Sequence, residues 1–396
     1  MEVVVTPICH VITRLDLGGA QDNTLHTVRT LREPFRPSLV CGPGGLLDGE
    51  AVGIEGVPVT FLRDLVRPID PWRDLRAFVA LTRHFRRTRP QIVHTHSSKA
   101  GILGRAAARA AGVPIVVHTV HGFGFNAEQP RALRALGIGL ERCMAPITTH
   151  VIAVSRRNLE KGVALGVIDP ARASVIRSGV RIDAFREAAE AGPGTAPLRS
   201  ELGIPATVPL VGMVACLKPQ KAPLDFIEVA ARVAAARPGA AFLIAGDGEL
   251  RGAVEERARQ RGLLGRLHLL GWRRDIPRVM AALDVVVLTS LWEGLPRVIP
   301  EAIAAGRPVV ATAVDGTAEI LRDGDNGFVC PPHDCDGLAE RVLRLLDNPG
   351  LGRRLTERAH PLLREFDIDL MVRDQEDLYR RLLLAGAPAL REPGAA

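Results

Sequence analysis

The 396-residue chain is 47% hydrophobic and 24% charged but only 4% aromatic, which is ordinary for a soluble globular protein with aliphatic cores and enough material for two of them. No apolar run approaches the ~18–20 residues of a membrane-crossing helix, and the six cysteines form neither a C-x-x-C pair nor a zinc-spaced cluster with histidine, so they read as buried thiols of a reducing compartment. The formal charge of +7 is carried by the first half, where residues 1–190 hold 25 basic against 17 acidic side chains and residues 191–396 hold 26 against 27.

The chain opens on a short β-like run, "VVVTPICHVI", with no secretory leader, and a cytoplasmic location is expected. Strands are predicted at 10–15, 37–41, 58–62, 92–96, 114–120, 149–155 and 173–180, with helices at 21–32, 73–87 and 99–111 among them. A basic run, "RHFRRTRP" (83–90), reads either as a solvated helix end or as a contact for an acidic substrate or a membrane surface. Nucleic acid is the weakest partner for it, because no aromatic stacking motif accompanies the charge. Residues 186–206 are rich in Ala, Gly and Pro and read as a linker. The pattern then restarts, with strands at 209–216, 240–248, 267–272, 284–290, 308–312 and 327–330 and helices at 223–236, 249–262 and 296–305. Continuous apolar strands alternating with helices predict parallel sheets covered on both faces. The fold class is therefore α/β, with two tandem doubly wound Rossmann-like domains whose facing strand ends make a ligand cleft. The expected boundaries are a first domain at 1–188, a linker at 189–206, a second domain at 207–365, an amphipathic helix at 366–386 and a tail at 387–396.

The densest chemistry lies in "SLWEGLPRVIPEAIAAGRPVVAT" (290–312). Glu293 falls in the loop after a buried strand, and Glu301 falls about one turn into the next helix. Two carboxylates at the mouth of one sheet can accept hydrogen bonds from the paired hydroxyls of sugar and ribose rings. The intervening helix start, with Gly294, offers free backbone N–H groups for phosphate. A hydroxyl clamp beside a phosphate clamp suits a nucleotide sugar.

A second feature is cation usage. Only four of the 51 basic residues are lysine, and two of them, Lys218 and Lys221, share the turn "CLKPQKAP" (216–223). A solvated loop would accommodate both. Alternatively, a compact, mobile point charge suits a crowded phosphate pocket better than arginine's planar fork.

The 290–312 segment resembles the signature of the retaining glycosyltransferase family 4 (glycosyltransferase group 1), which has the GT-B fold. The resemblance covers nearly the whole chain: "LGGAQ" (17–21), "IVHTHSSKAGILGRAAARAAGVPIVVHTVHGFGF" (92–125), "VIRSGV" (175–180), "LIAGDGEL" (243–250), "GWRRDIP" (271–277) and "DGDNGFVCPPHD" (323–334) are all similar to landmarks of that family. It implies that Glu301 holds the nucleotide ribose, that Glu293 contacts the transferred sugar, and that backbone N–H groups of Leu295 and Arg297, following Gly294, meet the diphosphate. Pro296, which has no N–H, cannot contribute there. The resemblance also places the family's phosphate-binding lysine at Lys221. Its companion arginine is replaced by Cys216, and Lys218 is the residue on the same loop able to supply that charge. It implies further that Gly18 and Gly19 let the donor approach backbone closely, that the helix at 366–386 crosses back to the first domain, and that His121 contacts the donor sugar. Without the resemblance, His121 would read as a structural histidine. Ser97, Ser98 and Lys99 open a helix and read as an anion or acceptor contact.

No metal is expected. The "HTH" of His94 and His96, with His118 on the next strand, has no carboxylate at ligand spacing. The D-x-D pairs Asp323/Asp325, Asp334/Asp336 and Asp367/Asp369 do not follow buried strands and read as surface aspartates. The resulting expectation is a metal-independent, cofactor-free retaining transferase that moves a hexose-type sugar from a UDP-linked donor to a glycan or lipid-linked acceptor of cell-surface polysaccharide or glycolipid synthesis. Same-face displacement is implied, with the leaving phosphate helping to take the acceptor proton, so that catalysis is mostly positioning and charge stabilisation. The basic first half fits peripheral contact with an anionic membrane. The alternatives are a nucleotide-sugar epimerase, a phosphorylase on the same architecture, or a non-catalytic sugar-binding protein.

Overall fold

A computed structural model describes residues 5–126, 129–190 and 192–386. The chain divides into two compact units, Met1–Gly179 together with Ile368–Ala396, and Val180–Asp367.

In the first unit the β-branched runs form β1 (Thr6–Arg14), β2 (Phe35–Gly42), β3 (Val59–Phe61), β4 (Ile92–His96), β5 (Ile115–Val120), β6 (His150–Ala153) and β7 (Ala173–Val175). They pair in parallel in the order β3-β2-β1-β4-β5-β6-β7. In the second unit β8 (Leu210–Val214), β9 (Ala241–Ala245), β10 (Leu267–Leu269), β11 (Val285–Leu288), β12 (Val309–Thr312) and β13 (Phe328–Cys330) form a parallel sheet in the order β10-β9-β8-β11-β12-β13. Strands such as β8, β9, β11 and β12 are buried along their whole length, because helices cover both faces of a parallel sheet. The order reverses between β1 and β4 and again between β8 and β11. In sheets of this kind the loops at the carboxyl ends of those strands frame the ligand crevice.

The unit boundary differs from the sequence expectation of a domain at 1–188 followed by a linker at 189–206. The helix Ile182–Ala189 buries Ile182 and Phe185 and packs on the helices Ile276–Ala282 and Val298–Ala304, all within the second unit. The next segment contains the short helix Pro197–Glu201, anchored by Leu198 and by Arg199, which is 2% exposed. The Arg199 guanidinium donates to the carbonyls of Ala282 (2.9 Å) and Val208 (2.7 Å) and to Asp284 (2.7 Å). A stretch of alanine, glycine and proline looks unstructured by composition, but one buried arginine with several acceptors is enough to fix it.

The helix Ile368–Leu384 belongs to the first unit and buries Ile368, Met371, Val372, Leu378 and Tyr379 against Ile8, Phe35, Ile92 and Ile115. The tail at 387–396 lies outside the described residues. The cysteines are free thiols: Cys9, Cys41, Cys330 and Cys335 are buried as expected, but Cys143 is exposed and Cys216 half-buried. Among the described residues no helix is long and apolar enough to cross a membrane.

Candidate active site

In the second unit, β8 ends at Val214 and its loop tightens into a single 3-10 turn, Pro219–Lys221, before Ala222 enters the left-handed region (φ 42°) and the helix Pro223–Ala236 begins. Within the turn the Lys221 N–H donates to the Lys218 carbonyl and the Lys218 N–H to that of Cys216, both at 2.9 Å. The loop after β11 is laced to this turn. Thr289 Oγ1 donates to the carbonyls of Lys221 and Ala222, the Leu291 N–H donates to the Gln220 carbonyl (2.8 Å), and Gln220 Nε2 donates to the Trp292 carbonyl (2.7 Å).

Those bonds bring the Lys221 ammonium onto the Glu293 carboxylate in a close ion pair, and Ser290 Oγ donates to the same carboxylate oxygen at 2.6 Å. Glu293 is 7% exposed. Its backbone N–H donates to Asp315 Oδ2 at 2.9 Å, which ties this loop to the one after β12. Next to Asp315, Gly316 lies so close that a Cβ there would stand 2.4 Å from the Gly294 carbonyl oxygen, and such a contact with rigid backbone forces a shift. Glu301 and Arg297 form a second, nearly buried pair at 3.6 Å at the start of the helix Val298–Ala304, with Leu295 buried beside them. Lys221, Glu293, Gly294, Leu295, Arg297 and Glu301 thus gather at the carboxyl ends of β8 and β11, where the sheet order reverses, and half-buried Lys218 lies on the same turn. A half-buried cation paired with a carboxylate can exchange one acidic partner for another, and a diphosphate is such a partner.

The first unit collects its candidates at the carboxyl ends of β1, β4 and β5. Gly18 is exposed and Gly19 begins the helix Gly19–Thr30. Ser97 holds a left-handed backbone (φ 65°) and its Oγ lies 2.8 Å from Thr13 Oγ1, so its side chain bridges β4 to β1. Ser98 abuts Gly124, where a Cβ would come within 2.5 Å of the serine oxygen. The Lys99 ammonium pairs with Asp74 (2.5 Å) and donates to the Pro68 carbonyl, so in this structure it serves the neighbouring helix Pro71–Thr88. Ser97, Ser98, His121 and the loop Gly122–Gly124 line one small pocket together with Glu141.

Beneath His121 lies a column of histidines that spacing alone does not disclose. Register pairs His10 on β1 with His94 on β4, and Thr95 with His118 on β5. His118 therefore faces away from His94 and His96, and the third member of their face is His10. Ring nitrogens of His10, His94 and His96 lie within 4.8 Å of one another, a spacing a metal could use. Both nitrogens of His94 are nevertheless engaged, by Tyr379 Oη (2.5 Å) and Thr119 Oγ1 (2.7 Å), and both of His96 are engaged by His10 (3.1 Å) and His121 (3.2 Å). Burial pushes His10 down to about 3 and His94, His96 and His118 well below their ordinary range, since a low-dielectric interior disfavours the imidazolium.

The D-x-D aspartates have local duties. Asp323 accepts from the Val329 N–H, Asp325 pairs with Arg358, Asp334 caps the helix Cys335–Asp347, Asp336 pairs with Arg232, and Asp369 meets His26. Residues the motifs did not disclose are Ser290 and Asp315, which hold Glu293, and His10 and Tyr379, which hold the histidine column. Ser290, His10 and Tyr379 lie inside stretches noted in the sequence without being assigned a role there, and Asp315 lies outside all of them.

Two family descriptions match consecutive parts of the chain: Glycosyltransferase Family 4 over residues 17–184 and glycosyl transferases group 1 over residues 195–360. An Escherichia coli protein named UDP-Gal:alpha-D-GlcNAc-diphosphoundecaprenol alpha-1,3-galactosyltransferase is 34% identical over 376 residues, covering 94% of this chain and 96% of that one. The structure of Anabaena HepE in complex with UDP and glucose superposes with a TM-score of 0.83 at 22% identity, covering 95% of this chain and all of that one. Sucrose-phosphate synthase from Thermosynechococcus elongatus superposes with a TM-score of 0.82 at 20% identity over 96% of this chain. With two doubly wound units and these relatives, the chain belongs to the group 1 glycosyltransferases of the GT-B fold.

Proposed function

We propose that this glycosyltransferase moves a hexosyl group from a UDP-sugar to a lipid-linked acceptor with retention of anomeric configuration and without a metal. The observation that carries the reading is the Lys221–Glu293 pair, set by Ser290 and by the Asp315 contact at the switch point of the second sheet. Lys221, with Lys218, meets the diphosphate as negative charge gathers on it, Glu293 meets the transferred sugar, and Glu301 meets the ribose. Backbone N–H groups of Leu295 and Arg297 complete the donor site. In the first unit, Gly18, Gly19 and His121 are assigned to the donor and Ser97 and Ser98 to the acceptor. Lys99 contributes by fixing that helix start. The choice of UDP is supported by the UDP-galactose donor for which the E. coli relative is named and by the UDP complex of Anabaena HepE, and the lipid-linked acceptor by the former.

A bilayer-borne acceptor also gains support from the surface of the first unit. The helix Arg131–Met144 exposes Leu133, Leu136 and Leu140 along one stripe beside Arg131 and Arg134. Across the intervening helix Ser98–Ala111, the start of Pro71–Thr88 exposes Trp72 (75%) and Leu75 next to Arg73 and Arg76. Apolar side chains rimmed by arginine suit an anionic membrane surface. This site differs from the exposed arginines 83, 86, 87 and 89, which gather at the other end of Pro71–Thr88.

The test is turnover of UDP-galactose, UDP-glucose and GDP-mannose on a polyprenyl-diphosphate-linked sugar, with product configuration read by NMR and EDTA in a parallel series. An α-linked product from an α-configured UDP donor, insensitive to EDTA and abolished in Glu301→Ala, is expected. An inverted product, EDTA-sensitive turnover, or donor conversion without acceptor would overturn the reading.

A further inference from the structure

The histidine column is more than a buried cluster, because its hydrogen bonds have a direction. His10 Nδ1 lies 3.1 Å from His96 Nε2, and His96 Nδ1 lies 3.2 Å from His121 Nε2. The His10 and His96 rings stack at 5.4 Å with 10° between planes. Each nitrogen–nitrogen contact holds one proton, and a neutral imidazole has one N–H and one lone pair. Both contacts must therefore point the same way through His96, either inward from His121 or outward toward it.

The inner end decides between them. His10 Nε2 is fully buried and has no hydrogen-bond partner among the described residues. If the column ran inward, His10 would accept at Nδ1 and its own proton would sit on that orphaned Nε2. If it runs outward, His10 donates from Nδ1 and Nε2 carries only a lone pair. Orphaned buried N–H groups are the rarer case in folded proteins, and under-satisfied acceptors are better tolerated.

We infer that His10 and His96 are positioning residues that hold His121 in its Nδ1–H tautomer, so that neutral His121 accepts from the protein at Nε2 and donates from Nδ1. Imidazole in water favours the opposite tautomer, so the column imposes a choice the side chain would not make alone. It also ties the ring's orientation to β1 and β4, since turning the ring breaks the contact with His96. A donor of fixed direction suits a hydroxyl or ring oxygen of a sugar. Burial keeps His10 and His96 uncharged, which the one-proton-per-contact pattern needs. The significance for catalysis rests on the assignment of His121 to the donor sugar, whereas the tautomer itself does not.

The experiment is nitrogen NMR of the full chain labelled at histidine ring nitrogens, with His121 assigned by His121→Asn. The wild-type protein is expected to show a protonated Nδ1 and a bare Nε2 at His121. His10→Leu, which cannot donate, is expected to shift the bare nitrogen from Nε2 to Nδ1, and His10→Gln, which keeps an N–H donor, to restore the wild-type pattern. A wild-type His121 protonated at Nε2 overturns the inference without any variant having to fold. A His10→Leu spectrum identical to wild type removes His10 from the role. Adding UDP-sugar separates the two proposals: the stated tautomer with His121 signals unmoved by the donor leaves the column standing and sinks the donor assignment.

Discussion

Replacing Lys221 with alanine separates two jobs that its ammonium performs. The lysine side chain is 17% exposed and the Glu293 side chain only 6%, so removing the amine leaves a nearly buried carboxylate that still accepts from Ser290. Breaking a buried pair from one side costs about 3–5 kcal/mol, and the partial exposure of Lys221 places this case near the lower end. At roughly 2–4 °C per kcal/mol for a unit of this size, the second unit should melt roughly 6–12 °C lower. Loss of a fixed cation from a leaving diphosphate should lower turnover by about 10²–10³-fold. Adding Glu293→Gln to Lys221→Ala removes the orphaned charge, so most of the melting temperature should return while turnover stays low. Scanning calorimetry and initial-rate assays on wild type and the two variants read both quantities. If turnover recovers together with the melting temperature, or never falls by about tenfold in Lys221→Ala, the lysine only neutralises Glu293 and the phosphate role is wrong.

Two further outcomes follow from the first unit. His10 titrates near 3 in the folded chain against 6.5 for an ordinary histidine, and His94, His96 and His118 shift in the same direction; the unfolded chain therefore takes up protons first as pH falls, and the stability these groups contribute is complete above about 6.5 and drains away toward 3. At pH 5.5 the loss is on the order of 1 kcal/mol for each such histidine, so the urea midpoint should fall clearly between pH 7.5 and 5.5, and equal midpoints would contradict the buried neutral column. For the membrane surface, Leu136→Ser with Leu140→Ser should abolish flotation with vesicles of anionic phospholipid while neutralising Arg83, Arg86, Arg87 and Arg89 weakens it less; unchanged flotation in the leucine variant would place the contact elsewhere.

What could be read from the chain before its structure divides along physical lines. Parallel sheets announce themselves because strands such as β8, β9 and β11 are apolar along their length, and Glu293, Glu301 and Lys221 announce themselves because each sits at a fixed offset from such a strand. Asp315 carries no such mark. It reaches Glu293 only because β12 lies beside β11. His10 was hidden for the same reason, since its meeting with His94 depends on a register between strands far apart in the chain. Tyr379 lies still farther, 285 residues from the histidine it bonds. The segment at 189–206 misled in the opposite sense: its composition is that of a linker, but the acceptors that hold Arg199 come from carbonyls and a carboxylate as distant as Ala282 and Asp284.

The helix Ile368–Leu384 has a consequence for the order in which this protein is made. It supplies Tyr379, Met371 and Val372 to a core whose other members, from Ile8 to Ile176, leave the ribosome first. The second unit is one unbroken stretch, Val180–Asp367, and has everything it needs before that helix is translated. At the usual ~5–20 residues per second, the first unit waits roughly 10–40 s with the patch of its sheet around Ile8, Phe35, Ile92 and Ile115 uncovered. The part synthesised first is thus the part completed last, and during that interval the N-terminal sheet is the natural client for a chaperone at the ribosome exit.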